Sequence, residues 1–198
     1  KGVPTINEFM DLGQAQQILE SFGPADLVIA NNVLAHVPYP QEMLQALAKL
    51  VSPVGIVICE FAYLPELVRR CQFDTIYHEH YSYLSLRAVE SIAKTADLSV
   101  INAQPLTTHG GSLRVSLVPK DSPRAAEPNA KLLKIRQKEI DMNLESALKR
   151  QHFQNEIRRQ GNDLLRFLLE QQNAGKQVAA YGAAAKGNTM LNVFGVKA

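Results

Sequence analysis

Apolar positions along the chain follow two periods that alternate. Residues 14–22 (QAQQILESF) carry a helical spacing and stop at Gly23-Pro24, a breaker pair. Ala25–Ala30 is a short apolar run whose length and β-branched content predict a buried strand of a parallel sheet. Residues 41–50 place Met43, Leu44, Leu47 and Leu50 on one side of an amphipathic helix. Ser52-Pro53-Val54-Gly55 reads as a turn and Gly55–Phe61 as a second buried strand. Strand, helix, turn and strand at this spacing describe βαβ units, hence an α/β fold. Residues 3–9 read as a further short strand and 87–96 as a further helix. Leu98–Ala103 and Ser112–Val118 flank His109-Gly110-Gly111 and predict an antiparallel pair.

After Pro119 the pattern changes. Asp121–Pro128 reads as a linker, and residues 129–173 are almost wholly helix-forming. Phe153, Ile157, Leu164 and Leu168 recur there at helical spacing with Gly161 between them, and Gly175 is a natural stop. Gln177–Tyr181 reads as a strand, followed by a glycine-rich loop and a helix opening at Asn188. The expected organisation is one α/β unit over residues 1–120 and the start of a second over 121–198.

Composition narrows the function classes. With 198 residues there is room for one domain or two small ones, and 46% hydrophobic against 20% charged residues is the balance of a chain that buries a core. No run approaches the roughly 18 apolar residues of a membrane span, and no secretory pattern opens the chain, so no membrane partner is expected. Cys59 and Cys71 form neither a disulfide framework nor a metal-binding spacing, and the default setting is cytoplasmic. The net charge is +2. Residues 124–176 hold 11 of the 21 Lys+Arg and 7 of the 19 Asp+Glu, interleaved as on solvated helix faces. With no Trp and no aromatic-basic interleaving, nucleic acid is not an expected partner.

Four clusters can carry chemistry. Asn31-Asn32 and His36 follow the first buried strand, and ligands of open α/β sheets bind beyond such strand ends. A polar loop with a capping Asn is the plain alternative. Residues 73–83 (FDTIYHEHYSY) gather three Tyr, two His and two acids. They suit an active-site loop holding a general base. A structural loop and a His-x-His metal site are the alternatives, the latter without an evident third ligand. Thr108–Arg114 joins a tight glycine turn to an Arg whose planar fork suits phosphate or carboxylate, or else is a hairpin with a surface Arg. Tyr181–Thr189 is a glycine-rich loop before a helix, a plausible anion site but not a P-loop, since Lys186 precedes Gly187 and Asn188 follows it.

As a set and in this order, ADLVIANNVLAHVP (25–38), FDTIYHEHYSYL (73–84), HGGSLRV (109–115) and YGAAAKGNTMLNVFG (181–195) resemble the sugar C-methyltransferase family. That family uses S-adenosylmethionine and includes C-3 methyltransferases of nucleotide-linked 4-keto deoxysugars. The resemblance spans essentially the whole chain. It implies a partial class I, Rossmann-like methyltransferase domain, a helical segment, and the start of a C-terminal α/β domain. The glycine-rich loop after the first methyltransferase strand and the zinc-ligand cysteines of the family have no counterpart here. The chain thus reads as beginning about three strands into the domain, with zinc expected only in a preceding domain.

The resemblance implies S-adenosylmethionine as cofactor and a nucleotide-linked keto-sugar, or another small molecule, as acceptor. Carbon methylation needs a carbanion, and a ketone acidifies the neighbouring C–H, so a base can generate an enolate. His80 is the implied base, with Tyr77 and Glu79 in support and His36 as a donor or alternative base. Asn31, Asn32, Glu8 and Phe9 are the implied cofactor contacts. Asn32, Arg114, Lys186 and Asn188 are the implied acceptor contacts, Arg114 and Lys186 toward the pyrophosphate. No metal is expected at this site. The rival readings are a methyltransferase with a different acceptor, a non-catalytic α/β module, and a nucleotide-binding oxidoreductase built on residues 177–195.

Overall fold

A four-stranded mixed sheet with helices organises the chain, described here from a computed structural model for residues 2–126, 129–182 and 185–196. Helix α1 (Leu12–Phe22) starts where the Asp11 carboxylate accepts the Gln14 N–H at 2.7 Å, and it ends at Gly23. Strand β1 (Ala25–Asn31) runs parallel to β2 (Val51–Ala62), and α2 (Pro40–Leu50) makes the crossover between them. Met43, Leu44, Ala46, Leu47 and Leu50 of α2 are buried, the apolar stripe that its spacing predicts.

Beyond β2 come α3 (Leu64–Arg69), a 3-10 turn at Phe73–Thr75, α4 (Leu86–Thr95), β3 (Leu98–Leu106) and β4 (Ser112–Pro119). The strand order is β1-β2-β4-β3, with β4 antiparallel to both of its neighbours. The expected antiparallel pair is therefore present, and β4 inserts between β2 and β3. Val57, Cys59, Phe61, Leu113, Val115 and Leu117 fill the core from the two central strands.

The helical half consists of α5 (Ala130–Met142), α6 (Ala147–Asn173) and α7 (Ala185–Val193). Leu132 and Ile135 of α5 belong to the same core as the sheet, so the helical segment begins packed on the first unit. The Glu139 carboxylate of α5 accepts the Leu86 and Arg87 N–H groups at 2.6 and 3.0 Å, satisfying the open first turn of α4. Among the described residues no helix is long and apolar enough to cross a membrane.

Several expectations fail, each for a tertiary reason. Residues 3–9 form no strand, and neither do 177–181, where Val178 is 49% exposed. An apolar run becomes a strand only when another strand's edge receives its N–H and C=O groups. Residues 52–55 are not a turn: they lie within β2, where the register moves from Ala25↔Val51 to Leu27↔Ile56. A Cβ on Gly55 would lie 2.8 Å from the Ala25 carbonyl oxygen, so this bulge requires glycine. Strand β1 is an edge strand rather than a buried one, and Leu27 and Ile29 are 51% and 57% exposed. Helix α7 begins at Ala185, ahead of the expected Asn188.

Candidate functional site

The carboxyl end of β1 meets the carboxyl half of β2. Asn31 pairs with Glu60 in register, and the Asn32 N–H donates to the Glu60 carbonyl at 2.7 Å. Asn32 takes a left-handed conformation (φ 54), which suits Asn better than most residues and turns the chain off the strand. A 3-10 turn at Leu34–His36 follows, anchored by buried Leu34 and Ala35.

This turn is joined to the 73–83 loop. The Ala35 carbonyl accepts the Tyr81 and Ser82 N–H groups at 2.9 and 3.3 Å, and His36 Nδ1 bonds the Glu79 carbonyl at 2.9 Å. His80 Nδ1 bonds the carbonyl of buried Thr75 at 2.7 Å. A carbonyl oxygen only accepts, so Nδ1 carries the hydrogen in both rings. In the neutral imidazoles Nε2 is then the free basic nitrogen. The two ring centroids lie 4.8 Å apart at 61°, and Tyr77 lies 4.5 Å from His80 at 40°. The Tyr83 ring stands 6.1 Å from His80 at 89°, and burial pushes its phenol up from the ordinary value.

His36, Tyr77 and His80 line a cavity of about 190 Å³ with Asn32, Thr75, His109 and Lys186. Lys186 arrives from α7, which packs on the Phe73–Thr75 turn. The Phe194 ring lies 5.1 Å from Phe73 and against Gly161 of α6. Four segments remote in sequence thus bring three imidazoles, a phenol, an ammonium and an amide together. Such a set can take a proton from a carbon acid and donate to the charge that develops.

Other expected site residues lie elsewhere. The Glu79 carboxylate is 58% exposed and its nearest basic partner is His78, at 3.9 Å; its carbonyl, not its acid, serves the site by holding His36. Arg114 does not stand free for a phosphate. Its Nη2 and Nε donate to Glu60 Oε2 at 2.9 and 3.2 Å across β2 and β4. Asn188 is exposed in the first turns of α7, outside the cavity lining. Asn31 is exposed beside Asn32, Glu8 is exposed, and Phe9 is 94% exposed on a segment that belongs to no strand. Part of the glycine-rich loop, Ala183-Ala184, lies outside the described residues. Among the described residues no three His, Cys, Asp or Glu side chains converge as a metal site.

Sequence reading passed over Glu60, Thr75 and the imidazole of His109. Glu60 had a signal, a lone carboxylate inside the apolar run Ile56–Phe61.

Comparison with known proteins finds two matching families. Residues 4–103 match the family described as a methyltransferase domain, and residues 107–198 match the C-methyltransferase C-terminal domain. The C-methyltransferase NovU of Streptomyces niveus is 30% identical over 199 residues, covering 99% of this chain and 46% of that protein. The chain thus spans about half the length of this relative. Among solved structures, an O-methyltransferase family protein from Burkholderia thailandensis aligns at 16% identity with a TM-score of 0.43, over 59% of this chain and 36% of its own. Magnesium protoporphyrin IX methyltransferase from Synechocystis PCC 6803, with bound SAH, aligns at 18% identity with a TM-score of 0.39, over 54% and 58%.

Proposed function

On the premise that the chain belongs to the methyltransferase-domain family, we propose that it carries the acceptor side of an S-adenosylmethionine-dependent C-methyltransferase. The acceptor is a nucleotide-linked deoxysugar, methylated at a carbon next to its ketone, C-3 beside a 4-keto group. The observation that carries this reading is the His80 imidazole. Its Nδ1 is tied to the Thr75 carbonyl, and its ring is packed between His36 and Tyr77 in a cavity.

S-adenosylmethionine, when bound, supplies an electrophilic methyl group. The residues present suit it in part. The Asn32 amide lines the cavity where β1 ends and Asn31 is exposed beside it, so these two would hold the cofactor. Exposed Glu8 and Phe9, outside any strand, supply no comparable wall.

The remaining steps belong to the chain's own residues. His80 Nε2 takes the proton from the carbon beside the ketone, and the bonding pair moves onto the ketone oxygen as an enolate. The Thr75 carbonyl stabilises the imidazolium that results, because its bond to the Nδ1 hydrogen strengthens as the ring becomes charged. Tyr77 is the nearest phenol able to donate toward the developing oxygen charge. Lys186 supplies positive charge for the acceptor's phosphates, the role the resemblance implies for Arg114, whose guanidinium is instead paired with Glu60.

The test is methyl transfer from labelled S-adenosylmethionine to a nucleoside diphosphate-linked 4-keto-6-deoxyhexose, with the label located on the product. His80→Asn is expected to lower turnover about 10²- to 10⁴-fold while cofactor affinity stays within about twofold. Near wild-type turnover in His80→Asn removes the base assignment. Label on oxygen or nitrogen removes the carbon reading.

A further inference from the structure

The turn joining β3 to β4 is held more firmly than a connection requires. His109 adopts φ 51 and ψ 32, a left-handed conformation that is costly for a residue with a Cβ. The Thr108 hydroxyl donates to Glu60 Oε1 at 3.0 Å, and Glu60 is itself only 5% exposed and bonded from its other oxygen by Arg114. The Gln72 amide donates to the Gly110 carbonyl at 3.0 Å, and the Tyr63 N–H donates to the Gly111 carbonyl at 3.1 Å. Glycine or Asn would adopt this conformation at lower cost, so the backbone does not explain why His stands here. The cavity does. His109, an exposed residue at the cavity's edge, lines it together with His36, His80, Tyr77 and Lys186.

We infer that His109 is a substrate-contacting residue whose imidazole hydrogen-bonds an oxygen of the acceptor. Glu60 is a positioning residue that acts through Thr108. The inference rests on the carbon-methylation reading above and adds a third histidine, from a third loop, to the acceptor site. A neutral imidazole can donate or accept, which suits either a carbonyl or a hydroxyl of a sugar.

His109→Gly and His109→Asn separate the side chain from the backbone. Both are expected to melt at or above the wild-type temperature, because the turn is eased. Both are expected to lose roughly 10- to 100-fold in kcat/KM for the 4-keto-6-deoxyhexose nucleotide, the cost of leaving the acceptor's oxygen without its hydrogen-bond partner. The KM for S-adenosylmethionine is expected to stay within about twofold. Thr108→Val is expected to raise the acceptor KM, and Thr108→Ser, which keeps the hydroxyl, to restore it. Full activity in His109→Gly overturns the inference.

Carbon-13 histidine spectra of the protein, titrated with the same nucleotide, distinguish this failure from failure of the reaction itself. Shifts at His36, His80 and His109 support the inference. Shifts at His36 and His80 without His109 overturn it and leave the reaction standing. No shift at any of the three overturns the reaction reading and the inference with it.

Discussion

Glu60 and Arg114 stand directly opposite each other in the register of β2 and β4, and their ion pair closes at 2.9 Å. The pair is lopsided, since the carboxylate side chain is 7% exposed and the guanidinium side chain 42%. Removing the exposed partner strands a buried charge, whereas neutralising the buried partner leaves an Arg that water can reach. Arg114→Met is therefore expected to cost about 2–3 kcal/mol. Glu60→Gln is expected to cost about 1 kcal/mol. Urea unfolding of both variants checks this order, and equal or reversed losses contradict it.

Glu66 of α3 ties two helices together. Its Oε2 accepts Arg69 Nη2 at 2.6 Å and Arg70 Nε at 3.2 Å, and its Oε1 accepts Lys138 of α5 at 3.2 Å. Arg69 above all, then Lys138 and Arg70, hold the carboxyl at about 2, down from its ordinary 4.5. A depressed folded-state value means the unfolded chain binds the proton first. The stabilisation is complete above pH 4.5 and is lost as pH falls toward 2. Stability measured between these limits is expected to fall less steeply in Glu66→Gln than in the wild type. Equal slopes would assign the acid sensitivity to other groups.

Gly161 is the buried point of α6. Replacing glycine by alanine inside a helix ordinarily stabilises by about 1 kcal/mol. Here a Cβ would lie 2.6 Å from Phe194 Cδ1, and that ring rests on Phe73. Gly161→Ala is expected to reverse the usual sign and destabilise by about 1 kcal/mol through overpacking. Helix α7 is expected to lose amide-exchange protection selectively, and Lys186 its place in the cavity. Undiminished protection over 185–193 would show that the Phe194 contact does not hold α7.

Two imidazoles with free Nε2 atoms lie in contact, and solvent exchange decides between them. In deuterated buffer with S-adenosylhomocysteine present, the wild type is expected to exchange the acceptor's hydrogen beside the ketone. His80→Asn is expected not to do so. Exchange that persists in His80→Asn and vanishes in His36→Asn gives the base role to His36.

Much of the fold was legible locally. The stripe Met43, Leu44, Leu47, Leu50 marked α2, Gly23 marked the end of α1, and the glycines after His109 marked the link between β3 and β4. Side-chain periodicity states which way each residue points, and caps and turns depend on neighbours within a few positions. Residues 177–181 carry the same kind of apolar run as β1 yet pair with nothing described, because periodicity does not say whether a strand edge awaits.

The sequence by itself determined which side chains were available: the Tyr77–His80 cluster, Asn32 beyond a strand, and Lys186 in a glycine-rich loop before a helix. Tertiary structure alone decided their partners. It placed His36 4.8 Å from His80 and gave His36 the Glu79 carbonyl rather than the Glu79 acid. It joined Arg114 to Glu60, and it carried His109 into the cavity. Each of these depends on how β2 and β4 register and on how remote loops close over the sheet. A hydrogen bond or ion pair is fixed by distances of a few ångströms between segments far apart in the chain, and no local pattern records them.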